Sequence, residues 1–155
     1  MAALSAFAVA AHGEPSQVGH ELRVTGEVQR ELVLRMDELR ELARRRGLAE
    51  AGTYSGVRLI DVLEEADIRR DATRALRRTY VIAVASDGYQ ALFSWGELFN
   101  SPIGRGVVVA FERDGKPLRD GEGRFALVSL GDERPGPRHV KWLKEIQVRR
   151  IDAAP

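Results

Sequence analysis

Apolar and polar positions follow two periods along this chain, and the change from one to the other marks its elements. Between Thr53 and Ala66, the residues Leu59, Val62, Leu63 and Ala66 fall at i, i+3, i+4 and i+7, the spacing that turns one apolar stripe of a helix toward a core. A helix beginning near Arg58 is predicted, with Gly56 just ahead of it. A glycine there either permits a tight turn into the helix or lets an anion approach the unpaired N–H groups of its first turn. The same period recurs from Met36 to Arg46, where Met36, Leu39, Leu42 and Ala43 share a face. Asp37 and Glu38 near its start and Arg44, Arg45 and Arg46 at its end suit the helix dipole, and Gly47 predicts the C-cap.

Period two governs most of the rest. Glu21 to Thr25 alternates around Leu22 and Val24, and Glu31 to Leu34 continues in β-formers, with the turn at Gly26. Tyr80 to Ala85 and Tyr89 to Phe93 read as a hairpin closed by Asp87-Gly88, a favoured two-residue turn. Ser94 and Glu97 have the spacing of a capping box, which starts a short helix through Leu98 and Phe99. Val107 to Phe111 is a continuous apolar run of the kind a buried strand shows, turned at Asp114-Gly115. Phe125 to Leu130 predicts another strand, Gly131 to Pro137 a loop, and Trp142 to Val148 the last strand. Short strands with helices inserted between them, and no βαβ rhythm, predict an α+β fold with a mixed, mostly antiparallel β-sheet. We take residues 20–150 as one domain.

Composition narrows the chemistry. A chain of 155 residues can bury one core without staples, and Cys 0 removes disulfides, thiolate metal ligands and cysteine nucleophiles. Lys+Arg 24 against Asp+Glu 23 gives a net charge of +1, so no bulk field draws the protein to nucleic acid or acidic lipid. A nucleic-acid reading would need Arg44 to Arg46 and the arginine-rich segment Arg69 to Arg78 on one continuous basic face; otherwise these are solvated surfaces. Met1 to Ala11 is small and apolar, and Ala8-Val9-Ala10 has the form of a signal-peptidase site, although a positive n-region is missing. Residues 1–19 are therefore read as a signal-peptide remnant and link, which predicts a periplasmic or secreted protein. No stretch approaches the ~18–20 apolar residues of a membrane span.

The candidate chemistry concentrates in Arg138-His139-Val140-Lys141-Trp142. Arginine offers a bidentate fork, lysine a point charge and neutral histidine a directional donor or acceptor, a set that can hold a phosphate. In an extended segment Arg138 faces one side while His139 and Lys141 face the other, so all three meet one ligand only if the backbone bends. There is no Gly-x-Ser-x-Gly elbow, Walker loop or His-Glu-x-x-His, and His12, His20 and His139 are the only imidazoles. A His139 and Asp132 pair is the acid–base combination that proximity leaves open.

Four segments carry a resemblance to a known family. Tyr54 to Leu63 resembles the aromatic-x-Gly-Val-x-Leu-x-Asp-x-Leu segment of the sulfite oxidase-like molybdopterin-binding domain, and Lys141 to Val148 resembles its Lys-Trp-x-x-x-Ile-x-Val ending. Asp87-Gly88-Tyr89 is similar to the family's hairpin, and Asp114 to Leu118 to its Asp-Gly-x-Pro-Leu turn. The resemblance implies a sulfite oxidase-type fold and a pyranopterin ligand, the molybdopterin cofactor with or without molybdenum. It places the phosphate cradle at Arg138, His139 and Lys141, with Tyr54 bordering the pterin pocket. Catalytic relatives ligate molybdenum with a cysteine upstream of the Gly-Val-x-Leu segment; Arg46 to Gly52 here holds none, and Glu50 reads as a solvent-facing residue. The resemblance therefore implies a molybdopterin-binding-like protein that lacks the metal-ligating cysteine, with a pterin or other phosphate-bearing small molecule and a protein redox partner as its partner classes. The alternative is an exported, cofactor-free binding module on the same fold.

Overall fold

The computed structural model describes residues 19–71 and 74–152; the predicted signal remnant, with Ala8-Val9-Ala10, and His12 lie outside them. The chain opens with β1 (Leu22–Gly26) and β2 (Leu32–Leu34), whose alternation buries Leu22, Val24 and Leu34. Helix α1 (Met36–Arg46) follows, its apolar stripe burying Leu39, Leu42 and Ala43. The Glu38 carboxylate accepts from the Arg35 N–H at 2.8 Å, and Gly47 closes the helix at φ 99 with its N–H on Ala43 O. Strands β3 (Ala49–Ala51) and β4 (Tyr54–Arg58) lead directly into α2 (Leu59–Ala66), which buries the predicted stripe of Leu59, Val62, Leu63 and Ala66.

Two expectations are corrected here. Gly56 is not in a loop ahead of a helix but inside β4, where an added Cβ would stand 2.0 Å from Val109 O; the position needs glycine for close strand approach at a bulge. At the N-terminus of α2 the negative charge that the dipole favours comes from within the chain. Arg58 donates to Asp61 through Nε at 2.8 Å and Nη2 at 3.2 Å, and the Asp61 carboxylate is buried in the first turn.

A 3₁₀ turn (Ala75–Arg78) leads to β5 (Thr79–Ala85) and β6 (Gln90–Ser94). Their connection differs from the predicted two-residue turn. The Gly88 N–H donates to Ala85 O, Ala85 N–H to Tyr89 O, and only Gly88 takes positive φ, at 91°; this is a three-residue loop with a glycine bulge. Asp114 (φ 52) and Gly115 (φ 72) do form a two-residue turn with both centres left-handed. The capping box of α3 (Trp95–Asn100) is complete, with Glu97 N–H on Ser94 Oγ at 3.1 Å and Ser94 N–H on Glu97 Oε2 at 2.8 Å. A 3₁₀ turn (Pro102–Gly106) precedes β7 (Val107–Arg113), followed by β8 (Lys116–Pro117), β9 (Ala126–Ser129), a 3₁₀ turn (Gly136–Arg138) and β10 (Leu143–Arg150).

Where one sheet was predicted, these strands form two. The first has the order β2-β1-β10-β5-β6, and every pair in it is antiparallel except β1 with β10. In the second, β7 pairs with β4, which pairs with β3, and also carries β8 and β9. Their inner faces and the helices share one core, running from Leu22 and Val24 through Val57, Phe93, Val109 and Leu127 to Ile146 and Val148. Alternation sends Val108, Ala110 and Val128 to the other face of the second sheet, where with Ala51 they form a smaller cluster that Tyr54 packs against. Val140 pairs with Leu127 on β9, and three residues later the chain joins the first sheet as β10. The segment Arg138 to Lys141 thus runs along the seam between the sheets.

Candidate functional site

The backbone does bend at this seam. His139 is extended, whereas Trp142 takes a left-handed conformation at φ 49. Trp142 is held on three sides: its N–H donates to Glu122 O at 2.8 Å, its Nε1 to Asp120 O at 3.1 Å, and its carbonyl accepts from Ser86 N–H at 2.9 Å. Gly123 (φ 81) leaves room for this contact, since a Cβ there would lie 2.8 Å from Trp142 Cα and Cδ1. The consequence is positional. The loop after β8 is folded back so that Glu122 enters the seam.

Glu122 is buried, and its Oε1 accepts the Tyr54 hydroxyl at 2.5 Å and Arg113 Nη1 at 3.4 Å. Arg113 also lies over the Tyr54 ring, its Cζ 5.0 Å from the centroid. The His139 ring meets Tyr54 edge to face at 5.5 Å. Burial, then the bond to Glu122 and its charge, push the Tyr54 phenol up to about 12, so it is a fixed donor at neutral pH. His139 is pushed below the ordinary imidazole range, first by burial and then by the Lys141 charge, with Glu122 opposing; its ring is neutral at pH 7. Glu122 Oε2 and His139 Nε2 are both buried and without a partner among the described residues. A buried polar atom left unpaired costs about 1–3 kcal/mol, and two in one cluster mark where a water or a bound group would pair with them.

The structure brings Tyr54 and His139 together and leaves the exposed Lys141 close enough for its charge to act on the ring. Arg138 turns the other way. Its Nε donates to Asp132 Oδ2 at 2.7 Å, its Nη2 to Asp132 Oδ1, and its Nη1 to Glu97 Oε1 at 3.0 Å, while Cζ lies 4.3 Å from the Phe93 centroid. Asp132 is thereby held below the usual carboxylate range by Arg138. Burial pushes the Glu97 carboxyl up, but the Ser94 N–H and hydroxyl together with Arg138 more than offset this and lower it. Asp132 is thus the partner of Arg138 rather than of His139. Glu50 stands on β3, exposed as predicted.

Sequence reasoning missed Glu122 and Arg113. An acidic residue between two glycines, Gly121-Glu122-Gly123, was the available sign, but its meaning depends on Trp142 folding the loop back. The cofactor implied by the resemblance has two parts, and the residues suit one of them. The donor and acceptor types match a pterin: the unpartnered Glu122 oxygen would accept from its ring N–H groups, and Lys141 and Arg113 would hold its phosphate. They do not match a protein-held metal. The sequence has no cysteine, and among the described residues no group of three His, Asp or Glu side chains is placed to hold an ion.

Comparisons with known proteins agree with the fold. The sequence profile of the oxidoreductase molybdopterin binding domain matches residues 43–154. No curated protein matches the chain. Among 25 chains of solved structures that do, the sulfane dehydrogenase SoxCD from Paracoccus pantotrophus superposes with a TM-score of 0.61 at 20% sequence identity, over 87% of this chain. The match spans 39% of the SoxCD chain.

Proposed function

The chain belongs to the oxidoreductase molybdopterin-binding domain family, and from that premise we propose that it binds a pyranopterin at the Tyr54, Glu122 and His139 cluster. The observation that carries this reading is the pair of buried, unpartnered atoms, Glu122 Oε2 and His139 Nε2. Glu122 accepts from the donor edge of the heterocycle, neutral His139 supplies one further hydrogen bond, and Lys141 with Arg113 holds the phosphate at the rim. Arg138 acts as a positioning residue for the turn that carries His139, aided by the Tyr89 hydroxyl donating to Pro137 O at 2.5 Å. The bound cofactor would supply the redox chemistry of the family, with no side chain of this chain as a thiolate ligand to a metal. Export to the periplasm and service to a protein redox partner complete the proposal.

Fluorescence of the oxidised pterin, measured on protein purified from a host that makes the cofactor, tests it. We expect one pterin per chain, and Lys141→Ala to weaken retention about ten- to hundredfold, the worth of one charge-assisted hydrogen bond. No signal under conditions that load a cysteine-bearing relative overturns the reading. One observation favours the alternative, a cofactor-free binding module: Arg138 spends its guanidinium on Asp132 and Glu97. That outcome would leave the module in place.

A further inference from the structure

Among the described residues, every ion-paired arginine lies outside the segment Arg69 to Arg78. Arg44 pairs with Glu41, Arg45 with Glu65, and Arg46 with Glu64 and Glu65, so the basic end of α1 is neutralised. Arg70, Arg74 and Arg77 differ. They are exposed, they line one cleft of about 470 Å³ together with Leu76 and Trp95, and no carboxylate among the described residues lines it. Their guanidinium groups have no ion-pair or hydrogen-bond partner among the described residues. Three like charges around one cleft, on a chain of net charge +1, repel one another until an anion enters.

Described residues flanking the cleft are tied to the fold. Arg69 is tied by its N–H to Glu27 O at 3.0 Å and by its Nε to Val28 O at 2.8 Å, and Arg150 donates to Arg69 O at 2.9 Å and pairs with Asp71. On the far wall, Ala75 is buried, the Thr79 hydroxyl donates to Ala75 O at 2.9 Å, and Ile151 N–H to Arg78 O at 2.8 Å. Trp95 is braced by a stacked Phe99 at 5.5 Å. Arginine forks thus stand beside an indole, which pairs phosphate recognition with an aromatic surface. The size matters as well. A cleft of this volume lies within the range of roughly 300–1,000 Å³ that takes one small molecule.

We propose that the cleft of Arg70, Arg74, Arg77 and Trp95 binds an aromatic phosphate ester of nucleotide size. Calorimetric titration of the full chain at low salt tests this with ADP, inorganic pyrophosphate, adenosine and a hexaglutamate peptide. The expected result is that ADP binds more tightly than pyrophosphate, that adenosine does not bind, and that the R74Q/R77Q double variant weakens ADP at least tenfold. An R44Q/R45Q variant, which removes paired arginines, should leave ADP binding unchanged, and equal melting temperatures would show that both variants fold. Equal affinity for ADP and pyrophosphate would mean a general anion attraction and overturns the proposal. So does ADP binding that survives R74Q/R77Q, or a peptide that binds more tightly than ADP, which would make the cleft a protein-docking surface.

Discussion

Arg138 shows how one side chain can take a role its type alone does not reveal. Its neighbours in sequence look like a phosphate cradle, yet its three nitrogens donate to Asp132, Glu97 and Leu92 O, and its flat face lies on Phe93. It ties the turn at Gly136–Arg138 to α3 and β6. Arg138→Ala should lower stability by about 1.5–3 kcal/mol at pH 7, because two carboxylates lose their counter-charge. The pH dependence has a definite sign. Both carboxyl values are depressed in the folded chain, so this stabilisation is complete above the ordinary carboxylate range near pH 4 and is lost as pH falls through the lowered values. Urea unfolding of Arg138→Ala and the unsubstituted chain should therefore differ most at neutral pH and converge in acid. A constant difference at all pH values would show that packing on Phe93, not charge, is what Arg138 contributes.

Among elements, the decisive one is the Asp120 to Gly123 loop, which delivers Glu122 only because Trp142 takes a left-handed backbone and Gly123 makes room for it. Gly123→Ala should cost about 1–3 kcal/mol through overpacking and also abolish pterin retention by displacing Glu122. Gly115→Ala, at φ 72 with nothing within 4 Å, carries the conformational cost without the clash and should keep the pterin; equal loss in both variants would refute the positioning role. What was legible in the sequence follows from range. The stripe of α2, the Ser94 and Glu97 box and the turn at Asp114-Gly115 are set within a few residues, and each formed. Gly56 and Gly88 were misassigned because their roles depend on partner strands, one on the approach of β7 and the other on hairpin register. Tyr54 beside His139 was reachable through family resemblance, whereas Glu122 required knowing where Trp142 would stand.

At the scale of the whole molecule, the first strand is paired in parallel with the last, Val24 opposite Ile146 and Gly26 opposite Val148. The family profile begins at residue 43, yet β1 covers an edge of β10 and contributes Leu22 and Val24 to the common core. Removing residues 1–35 takes Leu22, Val24, Val28 and Leu34 from it, a loss of about 6–12 kcal/mol, comparable with a typical total stability of about 5–15 kcal/mol. We expect such a fragment to lose its near-ultraviolet dichroism and to associate through the bared edge of β10; a monomeric fragment with native dichroism would show β1 and β2 to be dispensable. The same pairing sets an order of events at the ribosome. The β1–β2 hairpin emerges first and the β5–β6 hairpin later, but the strand that joins them is made last. At roughly 5–20 residues per second, that wait lasts on the order of ten seconds. From the completion of β6 until β10 is made the nascent chain presents two open edges, those of β1 and β5, the state in which a holdase chaperone can still take it unfolded.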